Sequence, residues 1–297
     1  MANHGRGANG TAGEDLKEIL KALDLSYADL AAVNEDFKNL TKYLVQADPK
    51  VTYEAANSFW YQTGINVNQT FRTDLTHYYD AEVYPVDFNS PGTLNLINGE
   101  WTYKFDRKAT KPWSFYKLDR TRVQIAVMAN NQAYRYYNHP SWHGLEMTYG
   151  SGNWAMYVFM PRQTGSLDKL TTWLIDNWKD IRTQFESDKS IKVYFPQFTI
   201  ENDFDLIPQM ESLGINRVFH PGANFSRMMK QPVFLGKVIH KTYIKVNEDG
   251  TEAAAVTSAW GVMGSPSGLF FDHPFTYIIA ERTTGLILFI GQVMDPS

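Results

Sequence analysis

Helical periodicity in the first part of the chain and short aromatic strands in the rest constrain the fold more than any single motif does. Beyond about residue 90 the sequence breaks into β-branched or aromatic runs bounded by Gly, Pro or Asn: Trp101–Phe105, Arg122–Met128, Gln132–Asn138, Leu145–Tyr149, Trp154–Met160 and Ile191–Phe195. Runs of this length and composition read as strands. Further strands are expected at Val233–Val246, Phe275–Glu281 and Leu286–Val293, with one helix at about 166–184 and another near 203–213.

Before residue 90 the period is different. Thr11-Ala12-Gly13-Glu14 fits a capping box, and Leu16, Ile19, Leu20 and Leu23 follow at helical spacing. A second amphipathic helix is expected over 27–46, with Leu30, Val33, Phe37, Leu40 and Leu44 on one stripe. Val51–Tyr61 reads as a strand and Val67–Tyr79 as a short helix. Helices first and strands later predict an α+β protein. Without repeats, linkers or low-complexity tracts, residues 1–297 are expected to form a single domain.

The composition excludes several functions. A net charge of −4 leaves no basic stripe to neutralise phosphates, so no nucleic-acid partner is expected. No apolar run approaches membrane-spanning length, so no membrane partner is expected either. The residues from Met1 to Gly7 lack an apolar signal core. With no cysteine, disulfides and thiol nucleophiles are absent. Asn9, Asn39, Asn68 and Asn224 head Asn-x-Ser/Thr sequons, which matter only in a eukaryotic secretory route.

Catalytic signatures are missing as well. There is no G-x-S-x-G elbow, H-E-x-x-H helix, P-loop or G-x-G-x-x-G. His139 and His143 have the spacing of a metal pair, but Pro140 lies between them and no third ligand is near in sequence, so a surface turn is expected. His240 falls in a strand pattern, as a core histidine would. Glu201, Asp203 and Asp205 read as a solvated turn and helix start. No enzyme, metal or cofactor is expected.

One segment stands apart. Residues 247–259, N-E-D-G-T-E-A-A-A-V-T-S-A, open on a turn signal and continue through small side chains. A surface helix would suit the alanines, with Thr251 capping Glu252, Ala253, Ala254 and Ala255. The alternative is a strand not yet formed. Gly250 can take backbone angles that other residues avoid, and small residues would then lie on both faces: Thr251, Ala253, Ala255 and Thr257 on one, Glu252, Ala254, Val256 and Ser258 on the other. Such a segment could enter between existing strands without a clash.

The surroundings favour the strand. Val238 to Ala255 resembles the reactive-loop hinge of the serpins, a family of serine protease inhibitors. Asp272–Ile279 and Gly285–Pro296 resemble the family's C-terminal strands. Val193–Ile200 with Leu206 and Leu213-Gly214-Ile215 resembles a third block, and Asn98–Phe105 resembles the region around the Trp near the top of the main sheet. The resemblance implies helices packed on large, mostly antiparallel sheets, with a reactive loop over 250–271. Glu248, Gly250, Thr251, Glu252, Ala253, Ala254, Ala255 and Val256 would form the loop hinge, and Trp101 and His240 the sheet-opening region. A protease would cut the loop and become acylated, and the loop would insert as an extra strand. The thirteen residues Thr251–Met263 would span roughly 43 Å at about 3.3 Å each.

Family spacing from Glu248 places the reactive bond at Gly264-Ser265, whereas counting back from His273 places it at Met263-Gly264. Val262, Met263 and Gly264 carry no charge, so the implied partner is an elastase-, chymotrypsin- or subtilisin-like serine protease, met by a monomer. The family also implies an extracellular location.

The sequence departs from the family in two places. Asn3–Glu14 resembles the end of the family's central buried helix, so the N-terminal helices are expected to be missing. Only Asn89-Ser90-Pro91-Gly92-Thr93 stands where a helix would cross the main sheet. Two function classes follow: an inhibitor that traps by loop insertion, and a non-inhibitory binding protein or truncated isoform that is merely cleaved.

Overall fold

The computed structural model describes residues 8–25, 29–55, 57–62, 66–86, 94–163, 165–251 and 268–297. Contacts divide the chain into two compact units: 1–45, 54–96 and 201–243 make the first, and 46–53, 97–200 and 244–297 the second.

In the first unit, helices α1 Gly13–Ala22, α2 Leu30–Gln46 and α3 Gln69–Tyr79 bury apolar stripes in one core with Phe71, Leu75, Ile215 and Val218. Inside it, Asn9 and Asn34 exchange amide hydrogen bonds at 2.7 and 2.8 Å, and the Tyr79 hydroxyl donates to Asn34 Oδ1 at 2.7 Å. Paired in this way, the buried amides do not carry an unmet desolvation cost. The expected capping box does not form. Ala12 is the N-cap without a side-chain bond, and the Thr11 hydroxyl donates back to the Ala8 carbonyl at 3.2 Å. Asn68 caps α3 through Oδ1, which accepts from Thr70 N–H.

The stretch expected as one strand from Val51 is described as β1 Val51–Ala55 and β2 Asn57–Gln62, and β2 pairs in parallel with β3 Ala81–Val86. β4 spans Leu94–Glu100.

The second unit holds an eight-stranded sheet made of β5 Lys111–Tyr116, β6 Arg122–Asn138, β7 Trp142–Tyr149, β8 Trp154–Pro161, β9 Glu186–Pro196, β13 Leu269–Phe270, β14 Phe275–Glu281 and β15 Ile287–Val293. Their order is β13-β9-β6-β7-β8-β14-β15, with β5 on β6. Every residue of β8 and β14 is buried, which is why their sequences are near-continuous apolar runs rather than alternating ones. Successive side chains of a strand point to opposite faces. Ala155, Tyr157 and Phe159 accordingly share one face, and they pack with Leu170 and Leu174 of α4 Leu167–Asp176 and with Trp178 of α5 Trp178–Ile181.

Three other expectations are corrected here. The helix expected over 166–184 is two helices, broken at Asn177, whose φ of −112° is non-helical and whose Nδ2 donates to the Trp173 carbonyl at 2.8 Å. The carboxylates Glu201, Asp203 and Asp205 lie on β10 Phe198–Asp205, not in a turn, and α6 starts only at Ile207 (Ile207–Ser212). Of Val233–Val246, only β11 Ile239–Val246 is strand.

Candidate functional site

The described part of the expected loop hinge includes a three-residue turn, Asn247–Asp249. β11 ends at Val246, and after the turn β12 Gly250–Thr251 comes back antiparallel with Thr251 opposite Val246. Asn247 closes the turn: its N–H donates to the Gly250 carbonyl at 3.0 Å, and its Oδ1 accepts from the Asp249 and Gly250 N–H groups at 3.0 and 3.2 Å. Asn and Asp favour turns for this reason, since a side-chain oxygen stands in for a backbone acceptor.

β12 is also antiparallel to β4, with Gly250 opposite Glu100 and Thr251 opposite Gly99. The approach is tight enough to require glycine. A Cβ on Gly250, at φ +154°, would lie 2.0 Å from the Gly99 carbonyl oxygen and 2.6 Å from Glu100 Cα. In the first unit, β4 and β11 pair with each other in parallel at Leu94–Lys241 and Asn95–Thr242.

Trp101 anchors the turn from the end of β4. Its indole N–H donates to the Asn247 carbonyl at 2.8 Å and its main-chain N–H to the Asp249 carbonyl at 2.7 Å. The ring is buried and stacks on Tyr149 at 4.4 Å and 14°. The Phe105 N–H donates to the Glu248 carbonyl at 2.9 Å. Trp101–Phe105 is therefore not the strand its composition predicts, because two of its N–H groups go to the hinge turn. Glu248 is itself buried, and its Oε1 accepts from the Thr110 hydroxyl at 2.5 Å. Arg107, in a single 3-10 turn, forms an ion pair with Asp249.

After 252–267, which lie outside the described residues, β13 joins the eight-stranded sheet. Leu269 and Phe270 pair in parallel with Val193 and Tyr194 of β9, and Phe270 stacks on Tyr194 at 4.0 Å and 7°. Phe271 is buried against Phe195 and Phe275. His273 Nδ1 then lies 2.9 Å from Asp272 Oδ1 and Nε2 lies 2.7 Å from the Pro161 carbonyl, both of them acceptors. Burial opposes the charged ring, but these two acceptors outweigh it and raise the His273 pKa above its ordinary value.

Among the expected hinge residues, the structure brings Glu248, Gly250 and the backbone of Thr251 together with Trp101. His240 sits half-buried on β11 in the first unit, and burial lowers its pKa. Glu252, Ala253, Ala254, Ala255 and Val256, and the reactive-bond candidates Met263, Gly264 and Ser265, lie outside the described residues. Sequence reasoning missed Arg107, Thr110 and Tyr149, because nothing in their local pattern shows that they meet the turn. His139 and His143 occupy the β6–β7 hairpin, where the His139 ring stacks on Trp142 and His143 Nδ1 contacts the Tyr136 hydroxyl. Among the described residues no cluster of metal-ligating side chains occurs.

Gly250 and Thr251 are thus paired into a sheet just beyond a turn pinned by a buried tryptophan. A family model described as Serpin (serine protease inhibitor) matches residues 6–99 and 94–296, and the chain belongs to that family. Neuroserpin of Rattus norvegicus is 31% identical over 345 residues, covering 97% of this chain and 82% of that protein. Alpha-1-antitrypsin 1-3 of Mus musculus is 28% identical over 333 residues, covering 97% and 79%. Both alignments are longer than the 297-residue chain, so these relatives carry internal stretches with no counterpart here.

Among solved structures, thyroxine-binding globulin in complex with thyroxine matches with a TM-score of 0.88 at 21% identity, over 100% of this chain and 90% of that one. The thermophilic serpin tengpin in its native state matches at 0.81 and 22% identity, over 99% and 86%. These similarities show the α+β serpin fold. The family is one of protease inhibitors rather than enzymes.

Proposed function

We propose that this chain is a suicide inhibitor of a serine protease, cut within its reactive loop at Gly264-Ser265 or Met263-Gly264, and that the freed segment inserts between β4 and β11. One observation supports this reading above the others: Gly250 and Thr251 pair with β4, and Thr251 also pairs with β11, as the first rungs of an inserting strand would. Further insertion would replace the direct parallel pairing of β4 with β11 at Leu94 and Asn95. The serine Oγ of the protease attacks the loop carbonyl, the amide nitrogen departs as the new N-terminus, and an ester joins the two proteins. Insertion then carries that ester away from the site of cleavage before water can reach it productively. The uncharged Val262-Met263-Gly264 run suits elastase-, chymotrypsin- or subtilisin-like pockets. An inhibitor of this kind would meet such enzymes outside the cell, as a monomer.

A second function is favoured by the gap against the relatives. On the family resemblance, residues 89–93 would stand where a helix crosses the sheet, and a chain lacking that helix would be cleaved without trapping. Incubation with chymotrypsin and elastase separates the two. An SDS-stable band at the combined mass, together with a large rise in melting temperature of the cleaved form, supports trapping. A clean nick in the loop with no thermal gain overturns it in favour of the second function. Met263→Arg should shift cutting toward trypsin; if trypsin already cuts the parent loop fastest, the assigned bait is wrong.

A further inference from the structure

We propose that Arg107 is a positioning residue which holds the hinge seated in the sheet before any cut, so that its ion pair with Asp249 tunes how often cleavage ends in trapping. This rests on the loop-insertion assignment above.

The contacts that fix the hinge turn are of two kinds. The N–H groups of Trp101 and Phe105, the Trp101 indole and the Thr110 hydroxyl all donate to residues 247–249 as neutral groups. In this set, Arg107–Asp249 is the contact with a formal charge on both partners. Asp249 is also the residue immediately before Gly250, and its carbonyl receives the Trp101 N–H. Holding Asp249 to Arg107 therefore restrains the residue whose carbonyl accepts the Trp101 N–H, next to Gly250 in register opposite Glu100.

Arg107 is well placed for this. It opens the 3-10 turn Arg107–Ala109, which Asp106 caps by accepting the Lys108 N–H at 2.9 Å, so its backbone is fixed. The neighbouring Lys104 is engaged with Glu100 at 2.7 Å and does not compete for Asp249. The pair is also half in solvent, with side-chain exposures of 51% for Arg107 and 26% for Asp249. Salt can therefore screen it, and replacing Arg107 removes no core contact.

The kinetic consequence follows from competition. After acylation, insertion races against hydrolysis of the ester. A hinge already seated at Gly250–Thr251 starts that race with its first rungs formed, whereas an unseated hinge must form them first. Loosening the pair should send more cleavage events to turnover, and raising ionic strength should do the same.

The test has an arm that does not depend on inhibition. Hydrogen exchange of the Trp101 main-chain and indole N–H groups, followed by NMR in the full chain, reports whether the turn is seated. Arg107→Gln should exchange both about two- to five-fold faster than the parent at low salt, as loss of a surface pair would give. The gap should close toward about 1 M salt. Arg107→Lys should recover part of the protection, and the swap Arg107→Asp with Asp249→Arg should recover more than either single change. Equal exchange at low salt, or a gap unchanged at high salt, overturns the inference. With elastase or chymotrypsin, Arg107→Gln should raise the moles of inhibitor consumed per mole of protease; faster exchange with an unchanged ratio overturns the tuning role. If the parent forms no ester complex at all, the insertion assignment fails, and the exchange arm still decides whether Arg107 seats the hinge.

Discussion

Gly250→Ala isolates the geometric requirement at the hinge. The added methyl would sit 2.0 Å from the Gly99 oxygen and 2.6 Å from Glu100 Cα. Both are backbone atoms, so no side chain can swing aside. Gly99 has little room to retreat, since a Cβ on it would already be 3.3 Å from the Tyr149 ring and from Val51. Either β4 shifts or β12 leaves it. A backbone shift in a packed sheet costs about 1–3 kcal/mol. Withdrawal of the turn would give up the two Trp101 hydrogen bonds and those from Phe105 and Thr110 to Glu248, at about 1 kcal/mol each, besides the Arg107–Asp249 pair. The shift is the cheaper route, so the loss should be about 2 kcal/mol. At roughly 2–4 °C per kcal/mol for domains of 150–250 residues, melting should fall by about 4–8 °C. Differential scanning fluorimetry gives the shift, and the exchange rate of the Trp101 indole distinguishes withdrawal from shear, since only withdrawal frees that N–H. An unchanged melting temperature with unchanged indole protection would refute the tight approach of β12 to β4.

Three further outcomes are expected. His273 has a raised pKa, so its contribution is fully present below the ordinary histidine value near 6.5 and is lost as pH rises through the higher folded value; melting profiles should show this slope in the parent and not in His273→Gln. Glu146 is buried between Arg135 at 2.6 Å and Arg282 at 2.7 Å, so Glu146→Gln should cost about 2–4 kcal/mol in urea unfolding, less than a fully buried pair because both guanidinium groups reach solvent. Thr251→Arg should block insertion in a trapping-competent chain, because the sheet would have to bury an unpaired charge; normal yields of ester complex from that variant would refute central-strand insertion.

The strands that sequence located well were those whose apolar character is continuous. Trp154–Met160 and Phe275–Glu281 are buried on both faces, and no solvent-facing residue interrupts the signal. Where polar residues do interrupt, the backbone could still continue. Asn130 and Asn131 look like a boundary, yet β6 runs through them because Val193 and Lys192 of β9 pair with them. The break at Asn177 was equally hidden, since Asp176-Asn177-Trp178 carries no Gly or Pro. At the site, N-E-D-G announced a turn and the resemblance placed Trp101 beside the sheet opening. What local pattern could not reveal was that Arg107 and Thr110 reach residues more than a hundred positions away. Such partners depend on how strands are brought together, which no short window records.

The described residues on either side of 252–267 are held by contacts of their own. On one side Trp101 and Asn247 fix the entry; on the other, Phe270 on Tyr194 and Phe271 against Phe195 fix the exit. If the proposed bait does lie within 252–267, its residues could be rewritten for a different protease without retuning either flank. On that proposal such a scaffold would diversify its targets faster than its fold, because selection on the bait and selection on the core would act on separate residues.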